Sequence, residues 1–200
     1  MSNYIFLFDL DSTITKAEIL PTIAKKVNKE KEMCELTEKT MQGEIPFKES
    51  FIERVNILKD IPINEVQNII ENIPLNDKLV EFISKNKERC YIVTGNLDIW
   101  ISKLIHKLGM ENNLFCSKAC ESDNKLLSII SVIDKEQVCN QFITSFVAVG
   151  DGNNDALMIQ KADYGIGYGG VRDIAPSVLE CASHAIYDEE ILCKFLEKLL

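Results

Sequence analysis

The chain has 200 residues, 46% of them apolar, enough for one core with a modest insertion. Its 22 basic and 31 acidic residues give a net charge of −9, which excludes long-range attraction to nucleic acid or an anionic membrane surface. No apolar run approaches the roughly 18 residues of a membrane span, and the amino terminus reaches an aspartate too early for a signal peptide.

Residues 4–8 form a short apolar run that ends abruptly in acid, as a buried parallel strand does at its carboxyl end. From about residue 15 to 73 the spacing turns helical. Ile19, Ile23, Ala24 and Val27 make one stripe, Phe47, Phe51, Val55 and Leu58 a second, and Val66, Ile69, Ile70 and Ile73 a third. Gly43, Pro46, Pro62 and Pro74 punctuate them. Residues 90–93 read as a second strand, followed by a helical stripe of Ile99, Leu104, Ile105 and Leu108 that Gly109 stops. Val138 and Phe142 form a short stripe, residues 146–149 a third strand, and residues 156–159 a further helical segment. Shorter strands at 164–166 and 185–187 and a helix over 191–199 complete the set. Strands alternating with helices predict an α/β fold, with a Rossmann-like parallel sheet built from residues 1–14 and 74–200. Residues 15–73 are expected to be a helical cap inserted after the first strand. The seven cysteines lack zinc-type pairing, Cys116 and Cys120 coming closest, and read as reduced, mostly buried thiols of a cytoplasmic protein.

The first strand runs into Asp9-Leu10-Asp11-Ser12-Thr13. Carboxylates at i and i+2 where a strand unwinds can converge on one small volume at the ligand-binding edge of the sheet. A solvated acidic turn or a helix cap has the same composition. The strand at 146–149 runs into Gly150-Asp151-Gly152-Asn153-Asn154-Asp155, again readable as a turn with a cap. Two strands that both end in paired acids would gather three or four carboxylates. Such an oxygen-rich cluster suits Mg²⁺ and repels itself without a cation. Thr94-Gly95-Asn96 could hold a phosphate oxygen or be an ordinary turn. Lys135, opening a helix, would by itself be read as solvated.

In this order the four pieces resemble the haloacid dehalogenase superfamily, over essentially the whole chain. Asp9–Thr13 looks like its first motif, Thr94 its second, Lys135 its third and Asp151–Asp155 its fourth; Asp-x-Asp is the form of its phosphatase and phosphotransferase branches. Within it, Glu18, Met41-x-Gly43, Phe47 and Arg54-Val55-x-x-Leu58-Lys59-Asp60 resemble the phosphoserine phosphatase family. That resemblance implies Glu18 facing a substrate ammonium, Arg54 its carboxylate, and Met41 and Phe47 an apolar lid. An amino acid head group does need one anion and one planar, bidentate cation. Three features depart from the family. Asn96 stands where glycine is usual, the segment from Lys135 to Asp151 is short, and residues 114–133 match poorly. The short segment leaves Lys118 and Lys125 as alternatives to Lys135.

The resemblance implies a Mg²⁺-dependent phosphomonoesterase that hydrolyses L-phosphoserine through a phospho-aspartate on Asp9. Asp11 would be the acid and base, with Thr94, Gly95 and Lys135 around the phosphoryl oxygens and Asn154 at the substrate. The metal would be held at Asp9, Asp11 through its carbonyl, Asp151 and Asp155. A phosphatase of the same fold for another small phosphorylated metabolite, and a catalytically silent binding module, are the alternatives.

Overall fold

The computed structural model describes residues 4–200, so the first three residues of the amino terminus lie outside the description. The opening strand β1 (Ile5–Phe8) has Phe6, Leu7 and Phe8 fully buried, as a strand covered on both faces requires. Four helices follow: α1 (Ile19–Ala24), α2 (Glu30–Met41), α3 (Phe47–Leu58) and α4 (Ile63–Glu71). Pro46 and Pro62 stand immediately before α3 and α4, where the preset φ starts a helix and no amide is missed.

The first expected stripe is shorter than its spacing suggested. Asn28 turns left-handed (φ 56°) after one 3₁₀ turn, and Val27 is left exposed. Helix α2 carries none of the expected stripes, because its buried face is Met33, Thr37, Thr40 and Met41, half of it polar.

The chain then returns through α5 (Asp77–Lys85), β2 (Cys90–Leu97) and α6 (Asp98–Leu108), the last closed by Gly109 at φ 63°. An antiparallel pair follows, β3 (Leu114–Ser122) and β4 (Lys125–Ser131), turning at Asp123 and Asn124, both left-handed. Next come α7 (Lys135–Cys139), β5 (Phe146–Gly150), α8 (Ala156–Lys161) and β6 (Tyr164–Tyr168). The chain ends with α9 (Pro176–Cys181), β7 (His184–Ile186) and α10 (Glu189–Glu197).

The seven strands form one sheet in the order β4-β3-β2-β1-β5-β6-β7, parallel except for β4. This is the expected Rossmann-like α/β architecture. The chain passes into and out of the helical segment side by side: Thr15 bridges Leu75, and Lys16 N donates to the carbonyl of Pro74 at 2.7 Å. Helix α4 packs along α6, and Phe51, Val55, Val66 and Ile70 share one apolar cluster with Trp100 and Ile101. Among the described residues no helix is long and apolar enough to cross a membrane.

Candidate active site

Register fixes the site. Phe8 pairs with Ile92 on β2 and with Val149 on β5, so the carboxyl ends of β2, β1 and β5 lie next to one another. Asp9 carries the ladder one residue further, its amide donating to the carbonyl of Val149 at 2.9 Å. The chain then turns sharply, with Ser12 held left-handed at φ 57°, a conformation non-glycine residues seldom adopt. The Ser12 amide donates to Thr15 Oγ1 at 3.1 Å, which anchors the turn. Asp11 accepts from the Ile19 amide at 2.8 Å. Burial pushes its pKa up to about 6, against the pull of that amide and of Arg54.

Lys135 opens α7, which Asp134 caps by accepting from the amides of Glu136 and Gln137. Its buried ammonium donates to Asp9 Oδ1 and to Asp155 Oδ1, both at 2.5 Å. Burial alone would lower the lysine's pKa; the carboxylates of Asp155 and Asp9 outweigh it and raise it. Asp155 also ties down its own loop, Oδ2 accepting from the amides of Asp151 (3.1 Å) and Gly152 (2.9 Å). Glycine at 150 is required here, since a Cβ would stand 2.6 Å from the Asp155 carboxyl group.

Asp9, Asp151 and Asp155 offer carboxylate oxygens that all lie within 4.8 Å of one another, all three side chains buried. Burial pushes Asp9 up to about 7, with Lys135 opposing it, and Asp151 goes up as well, through burial and then the Asp9 charge. Three buried acids facing one lysine, with the Arg172 guanidinium at 3.6 Å from Asp151 shared with Glu18, are short of positive charge, and their donor set is all oxygen. They fit a hard divalent cation. The Asp11 carboxylate stays out of this group, occupied by Ile19.

The expected turn at Thr94-Gly95-Asn96 is instead the end of β2, carried by an irregularity in its pairing with β3 between Thr94 and Leu97. Asn96 is itself part of the pocket lining. Its side chain donates to Thr94 Oγ1 at 3.0 Å, fixing that hydroxyl. The helical segment closes directly over these loops. A Cβ on Gly95 would meet Phe47 Cζ at 2.4 Å, and one on Gly152 would lie 3.7 Å from Met41 Sδ. The pocket beneath the helical segment brings together Asp9, Asp11, Glu18, Met41, Phe47, Arg54, Thr94, Gly95, Asp151 and Asn154.

Arg54 is buried, donating to the Ser50 carbonyl (3.3 Å) and to Thr37 Oγ1 (3.1 Å), and among the described residues it has no ion pair. Burial lowers its pKa to about 10. Glu18 accepts from Ser12 Oγ at 3.1 Å and is ion-paired with Arg172, whose Nε also lies 3.6 Å from Asp151 Oδ2.

A family model for haloacid dehalogenase-like hydrolases matches residues 5–163. The chain belongs to that family. The phosphoserine phosphatase of Methanocaldococcus jannaschii is 32% identical over 179 residues, covering 82% of this chain and 84% of the relative. That of Archaeoglobus fulgidus is 33% identical over 180 residues, 82% of this chain, which spans only 52% of the relative's length. Two solved structures cover both chains completely. A substrate-bound phosphoserine phosphatase complex has a TM-score of 0.84 at 27% identity, and a phospho-aspartyl intermediate analogue of phosphoserine phosphatase 0.83 at 28%. The chain is thus a hydrolase of the phosphoric monoester class.

Of the alternative lysines, Lys118 pairs with Asp98 at 3.4 Å on β3, and Lys125 begins β4 in the open; the lysine that meets the acid cluster is Lys135. Sequence reasoning missed Arg172. It follows Gly169-Gly170-Val171 beyond the carboxyl end of β6, a parallel strand whose outgoing loop opens on the same edge as those of β1 and β5. That parallel arrangement was the available signal.

Proposed function

We propose that the chain hydrolyses L-phosphoserine to L-serine and phosphate, with Mg²⁺, through a phospho-aspartate on Asp9. The observation that carries this reading is the juxtaposition of Asp9, held by Lys135 at 2.5 Å, with Arg54, buried without a carboxylate partner in the same pocket. The relatives' names and the shared fold support it.

An Asp9 carboxylate oxygen attacks phosphorus, the bond to the ester oxygen breaks, and Asp11 supplies the proton that oxygen needs. A carboxyl raised to about 6 can hold that proton close to neutrality and, once it is gone, can take one from the water that attacks the acyl-phosphate. Mg²⁺ bound through Asp9, the Asp11 carbonyl and Asp151 would offset the charge on nucleophile and phosphoryl group. Lys135 lies against Asp9 and so faces the equatorial oxygens together with Thr94 and the Gly95 amide. Asp155 fixes Lys135 and the loop that carries Asp151. Arg54 takes the carboxylate through two parallel hydrogen bonds, and Asn154 lies along the substrate. Residues 15–73 act as a cap, with Met41 and Phe47 pressed on the loops of the core and bulk water kept out. The seven free thiols suit a cytoplasmic setting.

A second reading, a phosphatase of the same fold for a different small phosphomonoester, is favoured by the ion pair that already occupies Glu18. Phosphate release from a panel of phosphomonoesters, with and without Mg²⁺, tests both. Turnover of phosphoserine that survives excess chelator, or preferred turnover of an ester without a carboxylate, removes the first.

A further inference from the structure

A pocket built for an amino acid head group needs a carboxylate to receive the ammonium and a cation to receive the carboxylate. Here the second is present and the first is already spoken for. Glu18, the one glutamate among the described residues lining the pocket, has Oε1 bound both by the Ser12 hydroxyl and by the Arg172 guanidinium. Both partners of the ion pair are half-buried, with side-chain exposures of 25% for Glu18 and 19% for Arg172, so solvent screens it only in part. Arg172 is placed by the segment after β6. Ala175 N donates to the Asp151 carbonyl at 2.8 Å, which ties this segment to the loop carrying the acids. The guanidinium therefore spans Glu18 and Asp151, so that Glu18 is paired from within while Arg54 has no ion pair among the described residues.

We propose that Arg172 is an internal counter-cation for Glu18 and extends the enzyme's substrates to phosphate monoesters of hydroxy acids that carry a carboxylate but no amino group. This rests on the phosphatase reading above and deepens it. With Glu18 neutralised from within, a substrate without an ammonium leaves no bare carboxylate behind, and burying an uncompensated charge is what normally enforces such selectivity. Arg54 still requires the carboxylate. A substrate that does carry an ammonium can share Glu18 with Arg172, whose second contact at Asp151 keeps the guanidinium in place. Arg172 is thus a specificity-determining residue that acts through Glu18 and is braced by Asp151.

The test uses a matched pair of esters, phosphoserine and 3-phosphooxypropanoate, which is phosphoserine with hydrogen in place of the amino group. For the wild-type protein with Mg²⁺, kcat/KM for the two should agree within about tenfold. Arg172→Met bares Glu18, so the ratio should move in favour of phosphoserine by about tenfold or more, and Arg172→Lys should recover part of the shift. The ratio within one variant cancels any loss of folded protein. A wild-type preference for phosphoserine beyond that range, or a ratio that Arg172→Met leaves in place, overturns the proposal while phosphoserine turnover stands. Phosphate release from neither ester overturns the phosphatase reading itself.

Discussion

Asp9 and Arg54 carry separable parts of the proposed chemistry, and each has its own substitution. Asp9→Asn keeps the shape of the side chain and one acceptor for Lys135, so the fold should survive. Turnover should fall at least ~10³-fold, because no other group is placed to attack phosphorus. Near-normal kcat in that variant, with an unchanged melting curve, would sink the nucleophile assignment. Arg54 tests the head group. A guanidinium bound to a carboxylate in a closed pocket contributes roughly 2–4 kcal/mol, about 30- to 1000-fold. Arg54→Ala should lower kcat/KM for phosphoserine by about that factor and leave phosphoethanolamine, which has no carboxylate, almost unchanged. Arg54→Lys should recover little, since a point charge cannot reproduce the planar fork. Equal losses on the two esters would return Arg54 to a structural role. The convergence of Asp9, Asp151 and Asp155 was legible in the sequence because short loops after strands fix where they go, whereas Lys135, read by itself as solvated, came only through the family resemblance. Arg172 was not legible: it lies 154 residues from the Glu18 it pairs with, and only the strand order brings the two together.

At the level of elements, the strands of the sheet centre were readable because each is an unbroken apolar run ending in a polar turn, as in β1 and β5. Helix α2 was not, since two of its four buried residues are threonines that give no apolar stripe. The hairpin of β3 and β4 was missed for a similar reason. It is mostly exposed, so neither alternation nor a buried run marks it, and Asp123-Asn124 was the one turn signal present. The fit of α3 against the end of β2 makes a prediction of its own. Phe47 stacks on Phe51 with ring centroids 5.6 Å apart, so it has little room to retreat from a methyl group on Gly95. Gly95→Ala should therefore hold the helical segment off the core and lower kcat/KM by about 10- to 100-fold. Phe47→Ala combined with it should restore part of that loss, a coupling that a double-mutant cycle reads directly. Additive losses would mean that the two residues do not meet in the working enzyme.

For the molecule as a whole, the buried acid cluster should couple stability to pH and, in the proposed function, to metal. Asp9 and Asp11 are pushed from 3.8 to about 7 and about 6, and Asp151 is also raised, in each case first by burial. Between pH 3.8 and about 7 the folded chain therefore holds more protons at these groups than the unfolded chain does, so raising the pH favours unfolding. Their contribution is present in full below the unfolded value and is lost as pH rises through the folded one. Exposed pairs such as Glu190 with Lys194 act in the opposite sense, so the cluster must be isolated by difference. In excess chelator, Asp151→Asn removes one of the raised acids and should gain in Tm over the wild type between about pH 5 and about pH 7.5. Mg²⁺ should reverse the order at the upper pH, because a divalent ion stabilises only the chain that keeps its carboxylates, by an amount that grows with its concentration over Kd. A Tm difference that stays flat with pH and ignores Mg²⁺ would mean that the three carboxylates are not a metal site. A chain of charge −9 has no long-range attraction for the anionic ester of the proposed reaction. In the proposed reaction the positive charge would be local, from Arg54 and Arg172 in the pocket, Lys135 against Asp9 and a bound cation, while the acidic exterior contributes only a screened field.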